Sequence, residues 1–173
     1  MNLNYNRWKR LFFFALGLLI GTGFCMKWME ADLFLSGQKF TILGLEFFYP
    51  KEKVAIILKG IDDHVKTILR YHLNFDFAFM GGVYPGIVAL CMMAKEKAQD
   101  NRIKKMLVIV SASQLIAWGS DITENLYLLK WAKNSTIGND FGQYHFIVAA
   151  KWVIAITGVL VAIPFALRHR KTM

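Results

Sequence analysis

The chain has few of the residues that build most soluble sites. It contains only two cysteines, Cys25 and Cys91, among 173 residues, and neither a paired-cysteine motif nor an HExxH helix, so no metal signature is present. A Ser-His-Asp arrangement, a glycine-rich phosphate loop and a nucleotide signature are absent too, and no cofactor is expected. Internal repeats and low-complexity stretches are missing, which argues against a solenoid and against a transporter built from inverted halves. Acids are scarce: 12 Asp and Glu face 21 Lys and Arg, for a net charge of +9. That excess could suit a nucleic acid, but the bases gather at the ends of apolar blocks instead of forming a stripe. Nucleic acid is therefore not an expected partner, and the bases read as topology signals.

Apolar residues make up 55% of the chain and are concentrated in a few blocks. This predicts an all-α membrane protein, one integral domain over residues 1–173, with four transmembrane helices at about 11–26, 75–94, 106–132 and 144–167. Arg7, Lys9 and Arg10 precede the first block, and Trp8 and Trp28 bracket it like interfacial anchors. A secretory signal peptide is the rival reading of this block, but Phe24 before Cys25 spoils a lipoprotein cleavage signal, and an uncleaved anchor is favoured. The second block is interrupted by Gly81-Gly82 and Tyr84-Pro85, where a kink is expected. The amino terminus, the loop carrying Lys95, Lys97, Arg102, Lys104 and Lys105, and the final Arg168-His169-Arg170-Lys171 are short and basic. Both termini are thus expected in the cytoplasm, and residues 27–74 outside. Cys25 and Cys91 then fall in opposite leaflets, too far apart for a disulfide.

The long outer segment is mixed. Lys39-Phe40-Thr41-Ile42-Leu43-Gly44-Leu45-Glu46 alternates enough to suggest a short strand or hairpin. After Pro50, the residues Val54, Ile57, Leu58, Ile61, Val65, Ile68, Leu69 and His72 follow the i, i+3, i+4 rule. One amphipathic helix is predicted there, lying at the outer interface or over the mouth of the bundle.

A charged side chain at the centre of a membrane helix costs about 2.5–3.5 kcal/mol on insertion scales, so polar residues inside the blocks need a reason. Asp76 opens the second block, Asp121, Glu124 and Asn125 lie in the outer part of the third, and Lys151 lies in the fourth. The i, i+3, i+4 spacing puts Asp121, Glu124 and Asn125 on one helix face, with Lys151 the natural counter-charge. Tyr84, Ser111, Ser113, Gln114 and Trp118 are candidate interior residues, for which packing is the simpler role. A metal site drawn from His72, Asp76 and His145 with Glu124 or Asp121 has no motif behind it, and none is expected.

The order Thr41-Ile42-Leu43-Gly44-Leu45-Glu46-Phe47, an amphipathic helix, Asn74-Phe75-Asp76-Phe77 with Tyr84, then Asp121-Ile122-Thr123-Glu124-Asn125 and Lys151-Trp152, resembles small bacterial four-helix, multi-pass membrane proteins of unassigned function. The resemblance implies a bacterial cytoplasmic membrane and no particular reaction. The leading expectation is a polar pocket in the outer half of the bilayer, formed by Asp76, Tyr84, Asp121, Glu124, Asn125 and Lys151, that binds a lipid or small amphiphile. An accessory subunit contacting another membrane protein is the alternative. A lipid-modifying enzyme or proton-linked carrier is the third reading, because crowded acids can hold or pass protons. The same polar residues could instead simply hold the helices together.

Overall fold

The computed structural model describes residues 3–134 and 136–167. The basic run Arg168-His169-Arg170-Lys171 lies outside the described residues. In chain order the elements are α1 (Leu3–Met29), a 3-10 turn (Glu30–Asp32), β1 (Phe34–Leu35), β2 (Gln38–Lys39), a π-helical turn (Gly44–Phe48), α2 (Lys51–Gly60), α3 (Asp63–Lys97), α4 (Asn101–Asn134) and α5 (Phe141–Ala166). Helices α1, α3, α4 and α5 are each long and apolar enough to cross a membrane. Even the shortest, the 26-residue α5, is roughly 39 Å long at 1.5 Å per residue.

Helix α3 is the centre of the bundle: α1, α4 and α5 all pack on it, and α4 also packs on α5. The α1–α3 seam is unusually close. A Cβ on Gly82 would stand 2.6 Å from the Leu19 backbone nitrogen and 2.9 Å from the Ala15 carbonyl oxygen. At that point backbone meets backbone, which a residue without a Cβ allows. Pro85 sits inside α3 without ending it. Large apolar side chains face outward, among them Phe14, Ile109 and Leu160.

The basic flanks meet at one end of the bundle. Lys97, at the end of α3, lies 5.6 Å from the Tyr5 ring of α1 and donates to the Ala166 carbonyl at the end of α5. A lysine there satisfies a helix-terminal carbonyl and complements the negative end of the helix dipole.

The opposite end carries a packed cap. Leu33, Leu45, Val54 and Leu58 of the connecting segment share a core with Leu69 and Leu73 of α3, Leu128 and Trp131 of α4 and Tyr144 of α5. The Trp131 and Tyr144 rings lie 4.9 Å apart, and the Tyr144 hydroxyl donates to the Leu45 carbonyl at 3.4 Å.

Two expectations for this segment need correction. The hairpin lies earlier than residues 39–46: Phe34 pairs with Lys39 and Leu35 with Gln38, around Ser36 and Gly37 at φ 50° and 80°. Positive φ at both central residues suits the twist of a two-residue hairpin. The stretch after it coils into the π-helical turn, with Tyr49 N–H donating to the Gly44 carbonyl at 2.8 Å. The single amphipathic helix is two. It breaks at Ile61–Asp62, where Asp62 caps α3 by accepting from Val65 N–H at 2.8 Å. His72 therefore belongs to α3. Each long helix also starts before its apolar block, α1 by about two turns that carry Arg7, Lys9 and Arg10.

The α1–α3 seam yields a paired prediction. Gly82→Ala forces the two backbones apart and lowers stability by about 1–3 kcal/mol. Gly81→Ala meets only a Leu18 methyl at 3.5 Å, and it leaves the melting temperature in detergent unchanged or slightly raised. Equal responses of the two variants would refute the close contact.

Candidate functional site

Three helices and the π-helical turn bring an ionic network into the apolar interior. Lys151 of α5 is its hub. The Lys151 ammonium donates to Asp121 Oδ1 at 2.6 Å, and it lies 2.6 Å from Glu124 Oε2 and 3.8 Å from Glu46 Oε2. Asp121 also accepts from the Tyr84 hydroxyl at 2.8 Å, through Oδ2. One turn along α4, Asn125 donates to Asp76 Oδ2 at 2.7 Å and to the Leu73 carbonyl at 3.4 Å. Asp76, Tyr84, Asp121, Glu124, Asn125 and Lys151, each selected from the sequence, thus converge.

Burial is nearly complete. Glu124 is 0% exposed, Asp121 and Lys151 6%, and Glu46 8%. Charges this deep persist only when paired and hydrogen-bonded, since each is far costlier alone. Near one lysine stand four carboxyl groups, those of Glu46, Asp76, Asp121 and Glu124. Glu124 Oε1 has no hydrogen-bond partner among the described residues. The acids outnumber the cation.

Glu46 was not among the residues chosen from the sequence. In the same turn, a Cβ on Gly44 would lie 2.3 Å from the Tyr49 ring, so a side chain there would push that ring off the turn. Lys53 covers the ring at 4.0 Å from its centroid. π-helical turns recur at functional sites because the wide turn displaces a side chain from the regular helical position. The usable signal was a lone acid within the otherwise apolar stretch from Ile42 to Phe48.

A cavity of about 400 Å³ opens beside the network. Asp76, Tyr84, Asp121, Lys151 and Glu46 form its polar part, whereas Phe79, Val83, Trp152 and Ala155 give apolar walls. Glu124 and Asn125 stand behind the polar wall and do not line it. Tyr84 is held by Trp118, whose ring stacks on it at 6.1 Å and 18°. At the outer rim Lys27 pairs with Glu30, and Glu30 Oε1 accepts from the Ile42 N–H at 3.3 Å, which ties the capping segment to the end of α1.

The remaining sequence candidates take separate places. Gln114 donates to the Val110 and Ile154 carbonyls, both at 3.2 Å, and joins α4 to α5. Ser113 donates to the Val110 carbonyl in its own helix at 2.8 Å. His72 lines the cavity, but His145 packs on the Phe141 ring at 4.4 Å. Among the described residues no three His, Cys, Asp or Glu side chains are grouped to hold a metal ion. Cys25 is exposed, Cys91 is buried, and both are free thiols.

Two outcomes follow from the network. Lys151→Met strands buried carboxylates and costs about 3–5 kcal/mol, whereas Tyr84→Phe removes one donor to Asp121 and costs about 1–3 kcal/mol. Melting in detergent tests that ranking. The second concerns Glu46, which lies outside the long helices. Burial pushes its carboxyl above the ordinary 4.5, Lys151 opposes the rise and Asp121 adds to it. The folded chain therefore holds this proton more tightly than the unfolded chain. The associated stability is full below 4.5 and is lost as the pH climbs through the raised folded value. Glu46→Gln should gain on the wild type in melting temperature as pH rises above 4.5. A difference independent of pH would show that Glu46 does not titrate as its burial demands.

Compared with known proteins, the chain matches no family model, no curated protein and no solved structure.

Proposed function

We propose that the chain is a multi-pass protein of a bacterial cytoplasmic membrane whose cavity, in the outer half of the bilayer, binds a membrane lipid or another small amphiphile. The four long helices cross the bilayer, and both termini face the cytoplasm. Support for the crossing comes from the length of the helices and from the large apolar side chains, such as Phe14, Ile109 and Leu160, on their outward faces. Support for the orientation comes from the basic residues at the end where α1 begins and α3 gives way to α4.

One observation carries the binding reading: a cavity large enough for a headgroup has a buried ionic network on one side and apolar walls on the other. Small-molecule sites combine these elements, mostly apolar lining with a few placed polar groups that fix orientation. An amphiphile meets both demands at once.

The second reading, an accessory subunit of a membrane complex, draws on the cap. Phe48 and Ile56 are 76% and 64% exposed on the segment between α1 and α3, and exposed large apolar residues suit a partner surface.

Native mass spectrometry of the full chain released from detergent separates the readings. A retained amphiphile that is lost from Asp76→Asn with folding intact is the expected result. A second protein chain retained instead, with no small adduct, would favour the subunit. For topology, reporters at the two termini should read cytoplasmic and one near Gly37 external. A carboxyl-terminal reporter outside would rule out four crossings.

A further inference from the structure

A second cavity of about 550 Å³ lies toward the basic end of the bundle. Its walls are almost wholly apolar: Leu16 and Leu19 from α1, Gly86 and Leu90 from α3, and Val159 and Ile163 from α5. Val83 lines this cavity and the polar one alike, so the two adjoin over one face of α3. The side walls of both are α1 and α5, which each pack on α3. Together they form a trough. From Asp76 to Met93 it follows α3 for roughly 25 Å at 1.5 Å per residue.

One end of this trough is acidic and the other apolar, and among the described residues the acidic end holds fewer cations than carboxyl groups. Lys27 is engaged by Glu30 at the rim, which leaves Lys151 as the ammonium beside Glu46, Asp76, Asp121 and Glu124. A second, independent feature points the same way. His72, 4% exposed, lines the polar cavity one helical turn before Asp76, and its Nδ1 has no hydrogen-bond partner among the described residues. In the tautomer protonated on Nε2, that nitrogen is an acceptor awaiting a donor. Trp152 adds an aromatic wall, which a cation also favours.

We propose that the trough binds a long-chain amphiphile whose head is a protonated primary amine. The ammonium sits among Glu46, Asp76 and His72, and the chain runs past Val83 into the apolar cavity. This rests on reading the polar cavity as an amphiphile site and specifies the headgroup. Three acceptor groups of this kind match the three protons of an ammonium, and its charge favours ionisation of the Glu46 carboxyl that burial otherwise keeps protonated. A free long-chain amine and an ethanolamine headgroup share this chemistry.

The test is thermal unfolding of the full chain in a neutral detergent at pH 7, where an alkylamine is protonated, titrated with dodecylamine, dodecanol, butylamine and a lysophosphatidylethanolamine. Dodecylamine or the lysolipid should raise the melting temperature saturably, at concentrations about tenfold or more below those needed for dodecanol or butylamine, a gap equivalent to about 1.4 kcal/mol. Whichever of the two acts at the lower concentration identifies the source of the amine. Asp76→Asn and Glu46→Gln should each shrink the preference over dodecanol, so one suffices if the other fails to fold. Val159→Trp, which narrows the apolar half, should weaken dodecylamine and leave butylamine unchanged. If dodecanol matches dodecylamine in the wild type and in both polar variants, the ammonium head is refuted and an amphiphile site survives. If no amphiphile shifts the transition, both readings fall.

Discussion

The buried ammonium of Lys151 is the contact around which the interior is arranged. It stands on α5, two of its carboxylate partners stand on α4, and the third comes from the π-helical turn of the cap. Tyr84 extends the network to α3 through Asp121. An ion cluster in an apolar interior tolerates little displacement, because the desolvation cost of each charge is recovered only at close range and with good geometry. The relative heights of three helices and the seating of the cap are therefore coupled through a few oxygen atoms. Apolar packing between helices could slide by a turn with little change in area; this network cannot.

The cap shows how such a point is supported from outside. Its core of Leu45, Val54 and Leu58 against Leu73, Trp131 and Tyr144 closes the end of the bundle. Glu46 is delivered inward by a π-helical turn whose Gly44 lies directly under the Tyr49 ring. Two tethers hold the turn, the Tyr144 hydroxyl on the Leu45 carbonyl and Glu30 on the Ile42 N–H. The cap is thus part of the interior and supplies one of its charges.

Much of the helical framework was legible because membrane-length apolar blocks leave few alternatives for the backbone. The polar cluster was legible for the same reason: Asp121, Glu124, Asn125 and Lys151 are conspicuous inside such blocks, and the spacing on α4 already placed three of them on one face. The capping segment was harder. Its helical periodicity runs unbroken from Val54 to His72, and only Asp62, a side-chain cap in mid-pattern, marks the break. The alternation from Lys39 to Glu46 resembled a strand, yet the hydrogen bonds of Leu45 and Tyr49 wind it into a turn. The hairpin went to Ser36-Gly37, a short turn signal with little apolar alternation around it. Glu46 was missed with the turn that carries it, since local pattern cannot tell a half-buried strand from a π-helical turn pressed onto a distant helix.

The close passage of α1 over Gly82 has a mechanical meaning. Helix α1 supplies one wall of the trough but none of the four carboxyl groups, and not the ammonium. Its main seam is with α3. The molecule therefore divides into a chassis of α3, α4, α5 and cap, locked by charge, and a side panel fastened by backbone contact near Gly82, by the Glu30 tether at one end and by Lys97 over the Tyr5 ring at the other. The width of the trough and the integrity of the charged interior thus rest on different bonds.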